Sequence, residues 1–147
     1  MGVEPDILIF GKRAQLSGIM VKERFSKIFE TPTRLEVTWD GTIIDMIRCK
    51  YIIKAYKEYD ILDNVKQSGD LLADGLRSVK DLKNVRNCGL IMAFDFENAE
   101  TCNEYSEKMF DRGMLFNKTG DKTIRFRPSL ALSNEELEKS LKIIFSI

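Results

Sequence analysis

The second half of the sequence alternates between helical and strand-like hydrophobic spacing, and this order restricts the fold more than any other feature. The predicted elements are a helix from residue 60 to about 79, a strand over 88–96, a helix over 98–112, strands over 114–116 and 123–127, and a helix from Ser133 to about Phe145. Short strands mixed with helices in this way are typical of a small sheet with helices packed on it. We therefore expect an α+β unit.

Residues that favour turns and helix ends stand at the boundaries of these elements. Asp60 is expected to cap the first helix, and Gly113 is a favourable stop for the second. Gly120 marks a turn between the two strands, and Ser133–Glu136 matches a capping box. The first helix has an apolar stripe formed by Ile61, Leu62, Val65, Leu71, Leu72, Leu76 and Val79.

The first part of the chain has fewer regular elements. Residues 6–10 and 18–21 are predicted strands joined by about seven residues, which indicates a hairpin or a tight crossing. Residues 22–41 have no regular pattern, and 42–58 have helical spacing. Two short strands are marginally stable alone, so this part either packs on the second half or belongs to something larger.

Composition excludes several classes of function. The 23 Lys and Arg residues balance 23 Asp and Glu residues, so the net charge of 23 − 23 = 0 does not favour nucleic-acid binding. No apolar run has the roughly 18 residues that a membrane span needs. Without histidine there is no Ser-His-Asp or Cys-His catalysis and little basis for a zinc site. Three widely spaced cysteines indicate free thiols and a cytoplasmic protein.

Lys12 is the first candidate for chemistry. It follows a predicted strand and Gly11, where a turn can present an amine into a cleft. An amine whose pKa is lowered by burial can form a Schiff base. The alternative is a solvated turn lysine beside Arg13, and lysine is seldom buried, so spacing alone favours that alternative.

Arg125 and Arg127 are the second candidate. They alternate with Ile124 and Phe126, so both guanidinium groups are predicted to leave the same face of a strand. Arginine can hold a carboxylate through two parallel hydrogen bonds. The alternatives are a solvent-facing strand or a structural ion pair.

Two further segments carry polar groups at predicted element ends. Thr38-Trp39-Asp40-Gly41 offers a hydroxyl and free backbone N–H groups before a helix, which suits a phosphate, whereas Asp40 would repel one and a simple helix cap is the alternative. Asp95 and Glu97 are either a pair of carboxylates for acid–base work or an exposed strand end.

Four segments, in order, resemble motifs of the class III aminotransferases, which are fold-type I enzymes that depend on pyridoxal 5′-phosphate (PLP). Pro5–Lys12 resembles their cofactor-lysine segment, and Thr38–Gly41 resembles their Thr-Trp-Gly-Gly turn. Asn84–Leu90, continuing into 93–95, resembles their Val-Arg-Gly-x-Gly-Leu strand, and Ile124–Pro128 resembles their Ile-Arg-Phe-Arg-Pro strand. The first and last segments look closest to the L-lysine 6-aminotransferase branch, with 4-aminobutyrate aminotransferase next.

The resemblance implies a role for three residues. Lys12 would bind PLP covalently and later move the substrate proton, and Thr38 would contact the PLP phosphate, usually that of the partner subunit in a dimer. Arg125 would hold the substrate α-carboxylate. The fold it implies is α/β to α+β, with residues 1–58 as a remnant of the large PLP-binding domain. Residues 59–147 would be the C-terminal small domain, with helices on a mostly antiparallel sheet.

The sequence also departs from the family pattern. Asp40 stands where the family often has Gly, and Asn87-Cys88 replaces Gly-Arg. Everything that precedes the lysine strand in the family is missing, including the Asp that pairs with the pyridine nitrogen of PLP. We interpret the chain as a truncated or split gene product or a cloned C-terminal piece, for which PLP binding by this chain alone is not expected.

These observations lead to one expected function and two alternatives. The first is the C-terminal part of an aminotransferase that transfers the terminal amino group of L-lysine, or of a similar ω-amine, to 2-oxoglutarate, inactive as this chain alone. Its partners would be a second copy or a missing N-terminal half, with no nucleic acid and no membrane. The alternatives are a non-catalytic α+β interaction module and one half of a split 4-aminobutyrate-type aminotransferase. Uncovered apolar strands such as 7–10 would lead an interaction module to self-associate.

Overall fold

The computed structural model describes residues 2–36 and 41–147. The chain divides into two compact units, Met1–Tyr59 and Asp60–Ile147. The assignment of the two parts to the large and small domains of an aminotransferase stays a prediction.

A β-hairpin opens the first unit. Strands β1 (Ile7–Phe10) and β2 (Gly18–Val21) pair in antiparallel fashion, with a single 3₁₀ turn at Lys12–Ala14 between them. The predicted hairpin is therefore confirmed. The expectation of irregular structure over 22–41 is wrong for Glu23–Phe29, which forms a 3₁₀ helix. This helix type has three residues per turn, so it leaves no 3.6-residue apolar period in the sequence.

Helix α1 (Ile43–Glu58) confirms the helix predicted over 42–58. Thr42 caps it, because the Thr42 hydroxyl oxygen accepts a hydrogen bond of 3.2 Å from the Asp45 backbone N–H. The apolar side chains of α1 are not confined to one face. Those more than half exposed are Ile43, Ile44, Met46, Ile47, Tyr51 and Ile53. A helix that is apolar on several sides is normally buried against other parts of a protein. The exposed apolar side chains of α1 are therefore typical of an interaction surface.

The second unit begins with helix α2 (Ile61–Arg77). Asp60 stands at its N-cap position, but its backbone is left-handed (φ 46°) and its side chain makes no capping hydrogen bond. The expected side-chain cap is therefore wrong, since such a cap needs an extended backbone. The predicted apolar stripe is wrong at Leu62 and Leu71, which are exposed.

A second hairpin follows, formed by β3 (Lys83–Cys88) and β4 (Ile91–Asp95). The strand predicted over 88–96 is confirmed as β4, but it begins too early in the prediction, because Gly89 and Leu90 form the turn between two strands. Strand β3 was not predicted. Leu90 is buried in the core although it lies in a turn, so the turn looks like part of an apolar run in the sequence. Pairing of β3 with β4 is irregular between Lys83 and Arg86, where a residue is bulged out.

The rest of the unit completes the sheet and its helical cover. Helix α3 (Ala99–Asp111) is followed by β5 (Asn117–Thr119), β6 (Thr123–Phe126) and helix α4 (Asn134–Phe145). The expected strand over 114–116 is wrong, because the Met114 N–H bonds to the Met109 carbonyl and closes the end of α3. The expected capping box is confirmed, since Ser133 and Glu136 exchange both hydrogen bonds.

The four-stranded sheet is antiparallel throughout and has the order β3-β4-β6-β5. In strands β4 and β6, buried residues alternate with half-buried or exposed ones. The buried residues join side chains from α2, α3 and α4 in one core, which includes Leu72, Leu76, Met92, Phe94, Cys102, Met109, Ile124, Phe126, Leu137 and Ile144. The expected fold class, helices packed on a small antiparallel sheet, is confirmed. The opposite face of β4 and β6 carries Ile91, Ala93, Asp95, Thr123 and Arg125.

Candidate active site

Lys12 lies in the 3₁₀ turn that follows β1. Its backbone is left-handed (φ 54°), and its carbonyl accepts hydrogen bonds from the Gln15 backbone N–H at 2.9 Å and from the Gln15 side-chain amide at 3.2 Å. A left-handed backbone costs about 1–2 kcal/mol for a residue other than glycine, and such positions are enriched at functional sites. The side chain is exposed, which agrees with the alternative of a solvated turn lysine and not with a buried amine. Among the residues described, its ammonium has no ion-pair partner.

The predicted phosphate contact at Thr38 lies outside the described residues, as does Asp40. The described part of that segment resumes at Gly41 and leads directly into the capped start of α1. The expectation for Thr38 therefore stays a prediction.

Arg125 lies in the middle of the open face of the second unit's sheet. It stands between Ala93 of β4 and Asn117 of β5 in the register of the strands. Its Nε is buried and has no hydrogen-bond partner among the described residues. An unpaired buried donor is costly, about 1–3 kcal/mol and more when the group is charged. Such a donor is a candidate contact for an anionic ligand.

A neighbouring carboxylate, Asp95, is already held by three donors from other residues of the second unit. Its Oδ1 accepts a hydrogen bond of 2.8 Å from the Thr123 hydroxyl and an ion-paired one of 3.1 Å from Arg86. Its Oδ2 accepts a hydrogen bond of 3.0 Å from the Asn84 amide. The bulge in β3 brings both Asn84 and Arg86 to this carboxylate.

The ionisation of Asp95 follows from these contacts. Burial raises the pKa of its carboxyl, but the hydrogen bonds from Asn84, Thr123 and Arg86, together with the charge of Arg86, outweigh burial and leave the pKa below its usual value. The carboxylate is therefore charged at neutral pH and is paired with Arg86. Because Asp95 is paired in this way, the Arg125 guanidinium is left without an internal carboxylate among the described residues.

The remaining candidates have other surroundings. Arg127 lies just beyond the end of β6, is exposed, and donates a long hydrogen bond of 3.5 Å to the Asn117 side chain. It borders a cleft of about 430 Å³ that is lined mainly by apolar residues between α4 and the end of α3. Glu97 forms an ion pair with Lys83. The hypothesis of paired carboxylates at Asp95 and Glu97 is therefore wrong, because each carboxylate has its own cation.

The partners of Asp95 are the residues that sequence reasoning missed. Asn84 and Arg86 were named only as part of a motif, and Thr123 was not a candidate. Their convergence depends on a bulge and on pairing between β4 and β6, which no local pattern shows. Within residues 2–36 and 41–147 there is no cluster of metal-ligating side chains and no helix long and apolar enough to cross a bilayer.

Comparison with known proteins agrees with the resemblance that the sequence motifs indicate. A family model described as "Aminotransferase class-III" matches residues 1–147. The chain belongs to the class III aminotransferase family. Class III aminotransferases are PLP-dependent enzymes.

Individual relatives share less than a third of their residues with this chain and are longer than it. The chain is 30% identical to an L-lysine-epsilon aminotransferase of Amycolatopsis lactamdurans, over 98% of this chain and 34% of that protein. It is 28% identical to the mitochondrial 4-aminobutyrate aminotransferase of Sus scrofa, over 97% of this chain and 29% of that protein. The solved lysine aminotransferase of M. tuberculosis superposes with a TM-score of 0.87 at 28% identity, over 99% of this chain and 35% of that one. The chain thus spans about a third of the length of these relatives.

The described residues fit part of what a PLP enzyme needs. Lys12 offers an exposed amine on a fixed turn, and Arg125 offers an unpartnered guanidinium N–H for a carboxylate. They lie in different units, each of which is described by itself. Lys12 therefore fits the role of the amine that holds the cofactor, and Arg125 fits the role of the cation that binds the substrate.

Proposed function

We propose that this chain supplies the C-terminal part of an aminotransferase that transfers the terminal amino group of L-lysine, or of a similar ω-amine, to 2-oxoglutarate. PLP supplies the electron sink for this reaction when bound. In this proposal Lys12 provides the amine that holds the cofactor and later carries the substrate proton. Thr38 contacts the cofactor phosphate, and Arg125 binds the α-carboxylate of the amino acid or of 2-oxoglutarate.

The observation that carries the proposal is the state of Arg125. It is the central residue of the open sheet face, and its buried Nε–H has no partner among the described residues. Asp95, on the same face of the neighbouring strand, is paired with Arg86. A guanidinium in this state suits a bidentate carboxylate. The similarity to lysine aminotransferases supports L-lysine as the amine donor.

The experiment compares 2-oxoglutarate binding to the chain and to two arginine variants by NMR titration. R125K keeps the positive charge but loses the planar pair of donors, so we expect its affinity to fall about tenfold, the effect of a lost charge-assisted hydrogen bond. R127K changes an exposed arginine two residues away and should bind within about twofold of the original chain. Equal affinities for the original chain and R125K would refute the proposal.

The proposal extends to the state of the working enzyme. We infer that the chain alone does not turn over substrate, and that activity needs the part of the enzyme that the relatives have in addition. That part would lie on an N-terminal segment or on a separate polypeptide, and in a homodimer Thr38 would contact the cofactor of the partner subunit. The free thiols Cys49, Cys88 and Cys102 support a cytoplasmic location as part of this proposal.

A second candidate is a non-catalytic interaction module, and the apolar surface of the first unit favours it. Ile9 of the hairpin and Ile43, Ile44 and Tyr51 of α1 are all more than half exposed. This candidate predicts self-association through these residues, measured as the mass of the purified chain by light scattering. If Arg125 does not bind carboxylates and the chain is a stable dimer, the interaction module replaces the enzyme fragment as the proposed function.

The other alternative is one half of a split 4-aminobutyrate-type enzyme. Such a chain would bind carboxylates whether or not the ligand carries an α-amino group.

A further inference from the structure

The turn that carries Lys12 contains two residues with a left-handed backbone, Lys12 itself (φ 54°) and Gln15 (φ 57°). For residues other than glycine this conformation is unfavourable, and it persists only where surrounding contacts hold it. The direction in which the side chain of Lys12 leaves the backbone depends on this conformation. The contacts that hold the turn therefore decide where the amine of Lys12 can reach.

Both hydrogen bonds that the Lys12 carbonyl accepts among the described residues come from Gln15. The backbone N–H of Gln15 donates at 2.9 Å, and its side-chain Nε2–H donates at 3.2 Å. A carbonyl oxygen has two lone pairs, so these two bonds use both of them. A change in the backbone conformation of Lys12 that turns its carbonyl away would break both bonds.

Arg48 fixes the orientation of the Gln15 amide. Its Nη1–H donates to Gln15 Oε1 at 3.4 Å, and a guanidinium has only donors, so it can bind only the oxygen end of the amide. The NH₂ end is then the one that faces the Lys12 carbonyl. Arg48 is itself held by Asp45, whose Oδ1 lies 3.4 Å from the same Nη1. Asp45 belongs to the capped first turn of α1, so these contacts connect the start of α1 to the lysine turn.

An apolar contact joins the same two segments. Leu16, which follows Gln15, is half-buried, and a Cβ added at Gly41 would overlap the tip of the Leu16 side chain. Gly41 directly precedes the Thr42 cap of α1. The lysine turn therefore rests on the start of α1 through both a polar and an apolar contact.

We propose that Gln15 is a positioning residue for the Lys12 amine, and that Arg48 holds Gln15 in the orientation that this role requires. This inference rests on the proposed function, because it concerns the amine that would hold the cofactor and carry the substrate proton. A misplacement of about 1 Å at a reacting group can lower a rate about a hundredfold. The exposed ammonium of Lys12 has no ion-pair partner among the described residues, so its placement depends on the backbone of the turn.

The test measures the backbone order of Lys12 in the full chain by ¹⁵N relaxation, and the urea midpoint of unfolding. In Q15E the carboxylate still accepts from Arg48 but cannot donate to the Lys12 carbonyl. We expect the order parameter of the Lys12 N–H to be about 0.85 in the original chain, as for rigid backbone, and to fall below about 0.6 in Q15E. The urea midpoint should stay the same, since the lost contact is exposed.

A second variant tests the role of Arg48. R48M removes the donor that holds the Gln15 oxygen but leaves Gln15 in place, so the amide can turn over and the order parameter of Lys12 should also fall. This variant keeps the test decisive if Q15E does not fold. As the matched control, Q67E makes the same chemical change at an exposed position of α2 and should leave the order of Lys12 unchanged.

Two results would overturn the inference. The first is an order parameter of Lys12 that stays near its original value in both Q15E and R48M. The second is a large fall of the urea midpoint in both variants, which would assign these residues a merely structural role. The measurement needs no cofactor and no substrate, so its outcome is distinct from that of the 2-oxoglutarate titration, which tests the proposed function at Arg125 in the other unit.

Discussion

Helix α2 lies so close to the turn between β3 and β4 that Gly69 has no room for a side chain. A Cβ added at Gly69 would lie 2.9 Å from the Gly89 Cα and less than 3.0 Å from the carbonyl of the same residue. Both contacts are with backbone, which cannot rotate away. By contrast, a Cβ added at Gly75, in the same helix, would meet the tip of the Leu141 side chain.

These contacts give opposite predictions for two otherwise similar substitutions. Alanine in a helix interior is favoured over glycine by about 1 kcal/mol. For G69A we expect overpacking against backbone to cost about 3 kcal/mol, so the free energy of unfolding should fall by about 2 kcal/mol. For G75A, a change of the Leu141 rotamer costs about 0.5–1.5 kcal/mol, so the net change should be within about 0.5 kcal/mol of zero.

The assay is urea unfolding of the full chain followed by circular dichroism, with G75A as the matched control for G69A. Both variants should keep the m-value of the original chain, since the surface exposed on unfolding is unchanged. A G69A variant that is as stable as G75A would refute the claim that α2 and the β3–β4 turn meet through backbone at this point.

Three further predictions concern the capped helix, the ionised carboxylate and the cofactor lysine. S133A removes the capping box of α4 and should destabilise the chain by about 1 kcal/mol in the same urea assay, and no change would contradict the cap. Hydrogen bonds and the charge of Arg86 depress the pKa of Asp95, so its stabilising contribution is complete above the ordinary pKa and is lost as the pH falls through the lower folded value. The stability difference between the original chain and D95N should therefore be present at pH 6 and shrink on acidification toward pH 3, whereas a constant difference would contradict this ionisation. Treatment with PLP and then borohydride should label many exposed lysines of the isolated chain. In K12R only the labelled peptide that contains residue 12 should disappear from the peptide map. A single saturable site at Lys12 would instead show that this chain forms a cofactor site by itself.

Local sequence patterns were sufficient for most helices and for the first hairpin. Helix α1 begins at a Thr cap and α4 at a capping box, and both signals involve residues within one turn of the helix. The turn between β3 and β4 could not be found in this way, because Leu90 in that turn is as apolar and buried as the strand residues that follow it. The strand expected over 114–116 failed for a similar reason, since its apolar residues belong to the closing turn of α3.

The candidate site was predictable only in part. The alternation around Arg125 placed it correctly on an open strand face. The pairing of Asp95 depends on Asn84 and Arg86 from β3 and on Thr123 from β6, which are separated in sequence and meet only through the bulge and the strand register. The exposure of Lys12 and the unpartnered Nε of Arg125 are likewise properties of the folded chain rather than of spacing.

The central claim is that Arg125 receives the substrate carboxylate, and its own side-chain resonance tests this most directly. The Nε–H group of Arg125 can be observed in a ¹H–¹⁵N spectrum and assigned by its loss in R125K. The account predicts that saturating 2-oxoglutarate shifts this resonance more than any other arginine Nε–H and slows its exchange with water. A resonance that stays unmoved while the ligand shifts other residues would contradict the account.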